Sequence, residues 1–205
     1  IRNCDWSSDV CSSDLDILPA GKYSFKVKAV TESGKESAWS ESVAYEKQEV
    51  SPFEMKLINA NTEYEIKSVG IASGEVVIEN TYKGLPITSI GDKAFANSYV
   101  SSIKLGDNIK SIGNSAFKNC SKLTAITLNE GLTEIGDYAF QSCSSLEKIE
   151  MTKTLLTLGE YAFSYCTALK SVELNGGCKK ISGNAFADCR SIETLEIPQI
   201  GRAHV

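Results

Sequence analysis

Histidine is nearly missing from this chain of 205 residues, which has a single one, His204. An interior without histidine holds no Ser-His-Asp triad, no Cys-His pair and no histidine-ligated metal, which closes the commonest routes to hydrolytic chemistry. Lysine or carboxylate catalysis stays open only as a formal possibility. No run of about 18 apolar residues occurs, so this window contains no membrane-spanning helix. Basic residues are not in excess either. The formal net charge is −5 with lysines dispersed along the chain, which gives no electrostatic footprint for nucleic acid. No catalytic residue, metal ligand or cofactor-binding residue is assigned.

The two ends are related through nucleic acid. Asp9-Val10-Cys11-Ser12-Ser13-Asp14 back-translates as GAC GTG TGC TCT TCC GAT, and the reverse complement reads as Ile200 to Val205. No folding principle relates two termini as opposite strands of one DNA segment. The segment resembles a common sequencing-library adapter, extended by Asp5 to Leu15. Residues 1–15 and 200–205 are therefore expected to be translated adapter, with residue 199 at the boundary and both native termini missing. These ends carry Arg2, Asp5, Asp9, Asp14 and Arg202, which sum to −1 and leave −4 for the insert. His204 and Trp6 leave with them. A signal peptide cannot be read without the start of the gene.

In residues 16–47, Tyr23, Phe25, Val27 and Ala29 alternate with Ser24, Lys26 and Lys28, the period of a half-buried strand. Ser33-Gly34 marks a turn, and Trp39 to Tyr45 supplies a returning strand. Leu18-Pro19-Ala20-Gly21-Lys22-Tyr23 resembles the tyrosine corner of fibronectin type III domains, and Ser37-Ala38-Trp39-Ser40 the approach to their last strand. The resemblance implies the last third of such a sandwich, a hairpin without a core of its own; any other antiparallel hairpin is the alternative. Residues 48–52 read as a linker.

The strongest signal is internal repetition. Ile-Gly-x-x-Ala-Phe begins at Ile90, Ile112 and Ile135, and recurs as Leu158-Gly159-Glu160-Tyr161-Ala162-Phe163 and Ile181-Ser182-Gly183-Asn184-Ala185-Phe186, at spacings of 22, 23, 23 and 23. Cys120, Cys143, Cys166 and Cys189 each follow a phenylalanine by three residues, with Ser98 in that place in the first copy. Apolar triplets precede the motifs: Leu123, Ile126 and Leu128; Leu146, Ile149 and Met151; Leu169, Val172 and Leu174; Ile192, Leu195 and Ile197. A unit this short cannot bury its apolar face alone, but stacked units make one continuous core with a short strand per rung. Gly91, Gly113, Gly136 and Gly159 are expected at positive φ, with the corner displaced toward Gly183 where Ser182 replaces glycine. Asp92, Asn114, Asp137 and Glu160 are expected to cap short helical turns.

This pattern resembles the BspA-like leucine-rich repeats of bacterial and some protozoan surface proteins, over residues 53–198. The asparagine position of ordinary leucine-rich repeats is lacking. The implied fold is a repeat solenoid, mainly β with short helical turns. Residues 53–80 form a β-hairpin cap and first rung, from the alternation of Phe53, Met55 and Leu57 and then Tyr64 and Ile66. Residues 81–198 form the repeats. The resemblance also implies a non-catalytic, extracellular or cell-surface, bacterial module that binds a protein or glycan on a host cell, matrix or neighbouring cell. An accessory binding module of a larger secreted enzyme and a structural spacer are the alternatives.

A cysteine in every rung fits small buried hydrophobes better than a tetrahedral metal site, with inter-rung disulfides as a further reading. Tyr138 and Tyr161 share one repeat position, where they form either an exposed ladder for carbohydrate or packing at the solenoid edge. The strand face opposite the core carries Lys104, Thr127, Asn129, Lys148, Glu150, Thr152, Glu173, Asn175 and Glu196 as candidate ligand-facing residues. With six rungs about 4.8 Å apart it presents on the order of 400 Å², half of a typical ~800 Å² footprint.

Overall fold

The computed structural model describes residues 21–26, 31, 33–39, 41, 43–47, 52–69, 72–174 and 176–196. They belong to two units, Ile1–Val50 and Ser51–Val205. Both adapter-like ends lie outside the described residues, as do Leu18 to Ala20 of the corner motif.

In the first unit, β1 (Gly21–Phe25) and β2 (Val43–Lys47) pair antiparallel with Tyr23 opposite Tyr45. The turn signal at Ser33-Gly34 is used. Gly34, at φ 78°, donates its N–H to Thr31 O at 2.8 Å, a left-handed conformation that costs glycine nothing.

The second unit opens with an antiparallel hairpin, β3 (Glu54–Ile58) and β4 (Glu63–Ser68). Asn59, Ala60 and Asn61 turn it at positive φ. Then come β5 (Gly74–Val77), β6 (Thr81–Tyr82), β7 (Leu85–Ile90), β8 (Val100–Lys104), β9 (Ser111–Ile112), β10 (Ala125–Thr127), β11 (Glu134–Ile135), β12 (Lys148–Glu150), β13 (Thr157–Leu158), β14 (Ser171–Glu173), β15 (Lys180–Ile181) and β16 (Thr194–Glu196). From β5 on, the strands sort onto two faces, apart from β6, which pairs antiparallel with β7. The first face carries β5, β8, β10, β12, β14 and β16; the second carries β7, β9, β11, β13 and β15, continued by the hairpin through parallel pairing of β4 with β7. Each rung therefore returns the chain in register beside its predecessor, as with Ile112 beside Ile90 and Ile135 beside Ile112.

The core is a set of columns. Phe95, Phe117, Phe140 and Phe163 are fully buried with ring centroids 4.8, 5.0 and 4.9 Å apart, Phe186 continues the stack at 5.6 Å, and Phe53 of the cap meets Phe95 at 5.8 Å. The rung spacing of a parallel sheet is also a good stacking distance for aromatic rings. One residue per period therefore satisfies both.

The third side corrects four expectations. Among the described residues no helix forms: the Ala-Phe segments are runs of overlapping turns. Alternate N–H groups bond within the rung, as Ala116 to Gly113 O, while those between reach the next rung, as Ser115 to Asp137 O and Phe117 to Ala139 O. That alternation needs left-handed residues such as Ser115 and Asn119, Tyr138 and Ser142, which a helix excludes. The glycines of the motif are not at positive φ. They are close-approach sites: a Cβ on Gly159 would lie 2.4 Å from the backbone carbon of Gly136. Nor does the corner shift at Ser182, because Asn184 keeps the left-handed conformation of its counterparts. The fourth correction concerns the capping residues. Asp92 Oδ1 accepts from Asn114 N, Asn114 Oδ1 from Asp137 N, and Asp137 Oδ1 from Glu160 N, at 2.7, 2.8 and 2.7 Å. They tie rung to rung.

Candidate functional site

The outward rows of the first face follow from strand alternation. Ile103, Ile126, Ile149 and Val172 point into the core, so their neighbours face solvent. The parallel register sets Thr127 beside Lys104, Glu150 beside Glu173, and Glu173 beside Glu196. Lys104, Thr127, Lys148, Glu150 and Glu173 are all exposed. Like charges in one column repel, and Lys148 offsets this by pairing with Glu150 and, at 3.5 Å, with Glu173. The hydrogen bond and then the charge of Glu150 hold the Lys148 ammonium above its ordinary pKa.

Two of the expected surface residues turn away. Asn129 is buried, and its Nδ2 donates to Asp107 O at 3.0 Å and Ile109 O at 2.8 Å of the preceding rung. Thr152, one rung on, is also buried and bonds Thr154 Oγ1 at 3.1 Å, which donates to Leu132 O. Strand alternation ends just before these positions, and the chain bends inward, so a polar side chain there serves the backbone of the rung behind. The sequence signal was present: a polar residue, Asn129, Thr152 or Asn175, directly follows three of the four apolar triplets. Asn175 lies outside the described residues, as does the Glu196 side chain.

The face is not one continuous sheet. β5, β8 and β10 form one ladder and β12, β14 and β16 another, while on the second face β9, β11 and β13 pass the same level unbroken. At the interruption a cleft of 440 Å³ opens, lined by Ala125, Thr127, Leu128, Glu130, Lys148 and Glu150 among others. Leu128 is half-buried there, whereas Leu105, Met151 and Leu174 in the same column are buried. Asn129 Oδ1 is buried with no hydrogen-bond partner among the described residues. No periodic feature of the sequence marks this break.

The cysteine column serves packing. Cys120, Cys143, Cys166 and Cys189 are free thiols that donate to the carbonyls of Phe95, Phe117, Phe140 and Phe163 at 3.0, 3.1, 3.2 and 2.9 Å. Their hydrogen bonds with one another and then burial raise Cys143 and Cys166, while the bond from Cys166 lowers Cys189. Tyr138 and Tyr161 stack face to face, 5.3 Å apart and 6° from parallel, with Lys118 Nζ 5.5 Å from the Tyr138 centroid. Two ring faces cover each other and a third is beneath an ammonium, which leaves little open aromatic surface for a sugar.

The BspA type leucine rich repeat region matches residues 88–202 in 6 copies. Among solved structures, the T. pallidum leucine rich repeat protein is 32% identical over 71% of this chain and 69% of its own, with a TM-score of 0.68. A leucine-rich repeat protein from Bacteroides capillosus is 26% identical over 62% of this chain and 97% of its own, with a TM-score of 0.55. The pneumococcal vaccine antigen PcpA is 25% identical over 66% of this chain and 40% of its own, with a TM-score of 0.52. No curated protein matches the chain.

Proposed function

This chain belongs to the BspA type leucine-rich repeat family, and from that premise we propose that it is a non-catalytic, surface-exposed or secreted adhesion module of a bacterium. Its first face receives a protein or glycan ligand of a host cell, matrix or neighbouring cell. The observation that carries this reading is the exposed row of Lys104, Thr127, Lys148, Glu150 and Glu173 on in-register strands. Such side chains stand on a backbone fixed by its ladders, so little ordering is required on binding. The likeness to a vaccine antigen supports surface exposure. No Trp, Tyr or Arg stands in this row, and those residues anchor most tight interfaces. The expected affinity is therefore micromolar or poorer and sensitive to salt.

The test is adhesion of the full chain to host-cell and matrix preparations. Glu150→Lys with Glu173→Lys should reduce binding, while Lys93→Glu with Lys179→Glu, away from this row, should not. Unchanged adhesion in the first variant and loss in the second would move the site off this face.

A further inference from the structure

The second face carries a groove of its own, 470 Å³ in volume, where β7, β9 and β11 meet the turn of the hairpin. Its floor is built from small residues. Register places Glu65, Ser89, Ser111 and Glu134 in one outward row, beside the inward row of Ile66, Ile90, Ile112 and Ile135. Gly91, Gly113 and Gly136 continue the floor, and the close approach of successive rungs keeps them bare of side chains. Glycine on three rungs, with serine beside it on two of them, makes the depression.

The walls are acidic. Glu63, Glu65, Asp92 and Glu134 line the groove against the single lysine Lys110, four negative charges to one positive, a balance of −3. Glu63 is held by Thr88 Oγ1 at 2.7 Å, Asn59 Nδ2 at 2.6 Å and Lys110 at 3.5 Å. Glu65 pairs with Lys56 at 3.4 Å, and Asp92 gives one oxygen to Asn114 N. Glu134 has no ion-pair partner among the described residues.

The second observation is independent of charge. Ser89, on the floor, is nine-tenths buried at 9% exposure, and its Oγ has no hydrogen-bond partner among the described residues. A buried hydroxyl without a partner is costly, and here it lies beneath a groove whose rim is anionic. The carboxylates are spread along the groove: no three of the described acidic side chains converge as metal ligands do. Acceptors in a line above a hydroxyl suit an extended, planar, multidentate donor. A guanidinium has that shape, with its donors in a rigid fork.

We propose that this groove is a binding site for an arginine side chain of a protein partner, held by Glu134 and Glu65 at the walls with the Ser89 and Ser111 hydroxyls below. It is separate from the first face, so a partner engaging both would grip the solenoid from two sides.

The experiment is an amide NMR titration of the full chain with acetyl-arginine amide, beside its neutral isostere acetyl-citrulline amide and calcium chloride. Arginine amide should give saturable shifts at Ser89, Ser111, Gly113 and Glu134, and citrulline amide should give none. Glu65→Gln with Glu134→Gln should weaken binding by about 5-fold or more, from two partly exposed charge pairs. Lys110→Gln should tighten it by about 2- to 5-fold by removing the competing cation, a gain that disturbed folding would not produce. Absence of saturable shifts at these amides, equal shifts with citrulline amide, or saturation by calcium alone would each overturn the assignment.

Discussion

Asn114 Oδ1 accepts the backbone N–H of Asp137 at 2.8 Å, so a side chain of one rung holds the main chain of the next at the same repeat position. The bond is possible because Gly136 lets the rungs close up: a Cβ there would lie 2.7 Å from that same Oδ1. Glycine and the Asn or Asp after it are thus one device.

Gly159→Ala should destabilise the solenoid by about 1 to 3 kcal/mol, because the new methyl meets backbone at 2.4 Å and backbone yields little. Gly183→Ala, with nothing within 4 Å, should change stability by less than about 0.5 kcal/mol. Chemical denaturation of both variants checks the pair; equal losses would mean that the close approach is not what selects glycine.

Phe140→Ala should cost about 3 to 5 kcal/mol, since it removes a fully buried ring stacked between two others. Phe25→Ala lies in the other unit and should leave solenoid unfolding unchanged. A common shift of the main transition in both variants would contradict the two-unit division.

The columns were legible in the sequence because a residue type repeated at 22 or 23 positions has one explanation, a shared place in successive rungs. What a column does was less legible. Glycine at Gly136 fits either a left-handed turn or a close approach, and only the neighbouring rung decides between them. Asp137 looked like a helix cap because its partner, Glu160 N, lies 23 residues away. Asn129 and Thr152 were assigned to the surface by extending strand alternation past the strand's end. The cleft beside Leu128 is a break in backbone pairing, and no side-chain pattern records it.

Thiol labelling of the reduced protein should find Cys189 reacting first. It is half-buried, and the hydrogen bond from Cys166 lowers its pKa, so its thiolate forms at a lower pH than an ordinary thiol's. Cys143 and Cys166 are buried and raised, and should stay unlabelled until denaturant is added. Mass spectrometry of partially labelled protein gives the order, and early labelling of Cys143 would mean that the column faces solvent.

Glu63 should titrate below the ordinary carboxylate range, first through the hydrogen bond from Thr88, then that from Asn59. A depressed folded-state pKa contributes stability above the unfolded value, and that contribution is lost as pH falls through the folded one. Carboxyl NMR should show the Glu63 midpoint rising toward the ordinary value in Thr88→Val. An unmoved midpoint would remove Thr88 as the cause.

The direction of the inter-rung bonds bears on what such a stack accumulates as it grows. On the turn side the earlier rung donates to the later, as Phe117 to Ala139 and Phe140 to Ala162. On the second face the bonds run both ways: Gly113 donates to Ile90, while the parallel pairing of Ile90 with Ile112 directs the Ile90 N–H toward the later strand. The peptide dipoles of the sheet therefore alternate and largely cancel, whereas those of the inter-rung bonds on the turn side point one way along the axis. An α-helix sums its dipoles into partial charges at its ends, and the turn side sums its own across rungs. Lengthening the stack therefore extends an axial dipole along that one side, with donors directed toward the later rungs and acceptors toward the earlier.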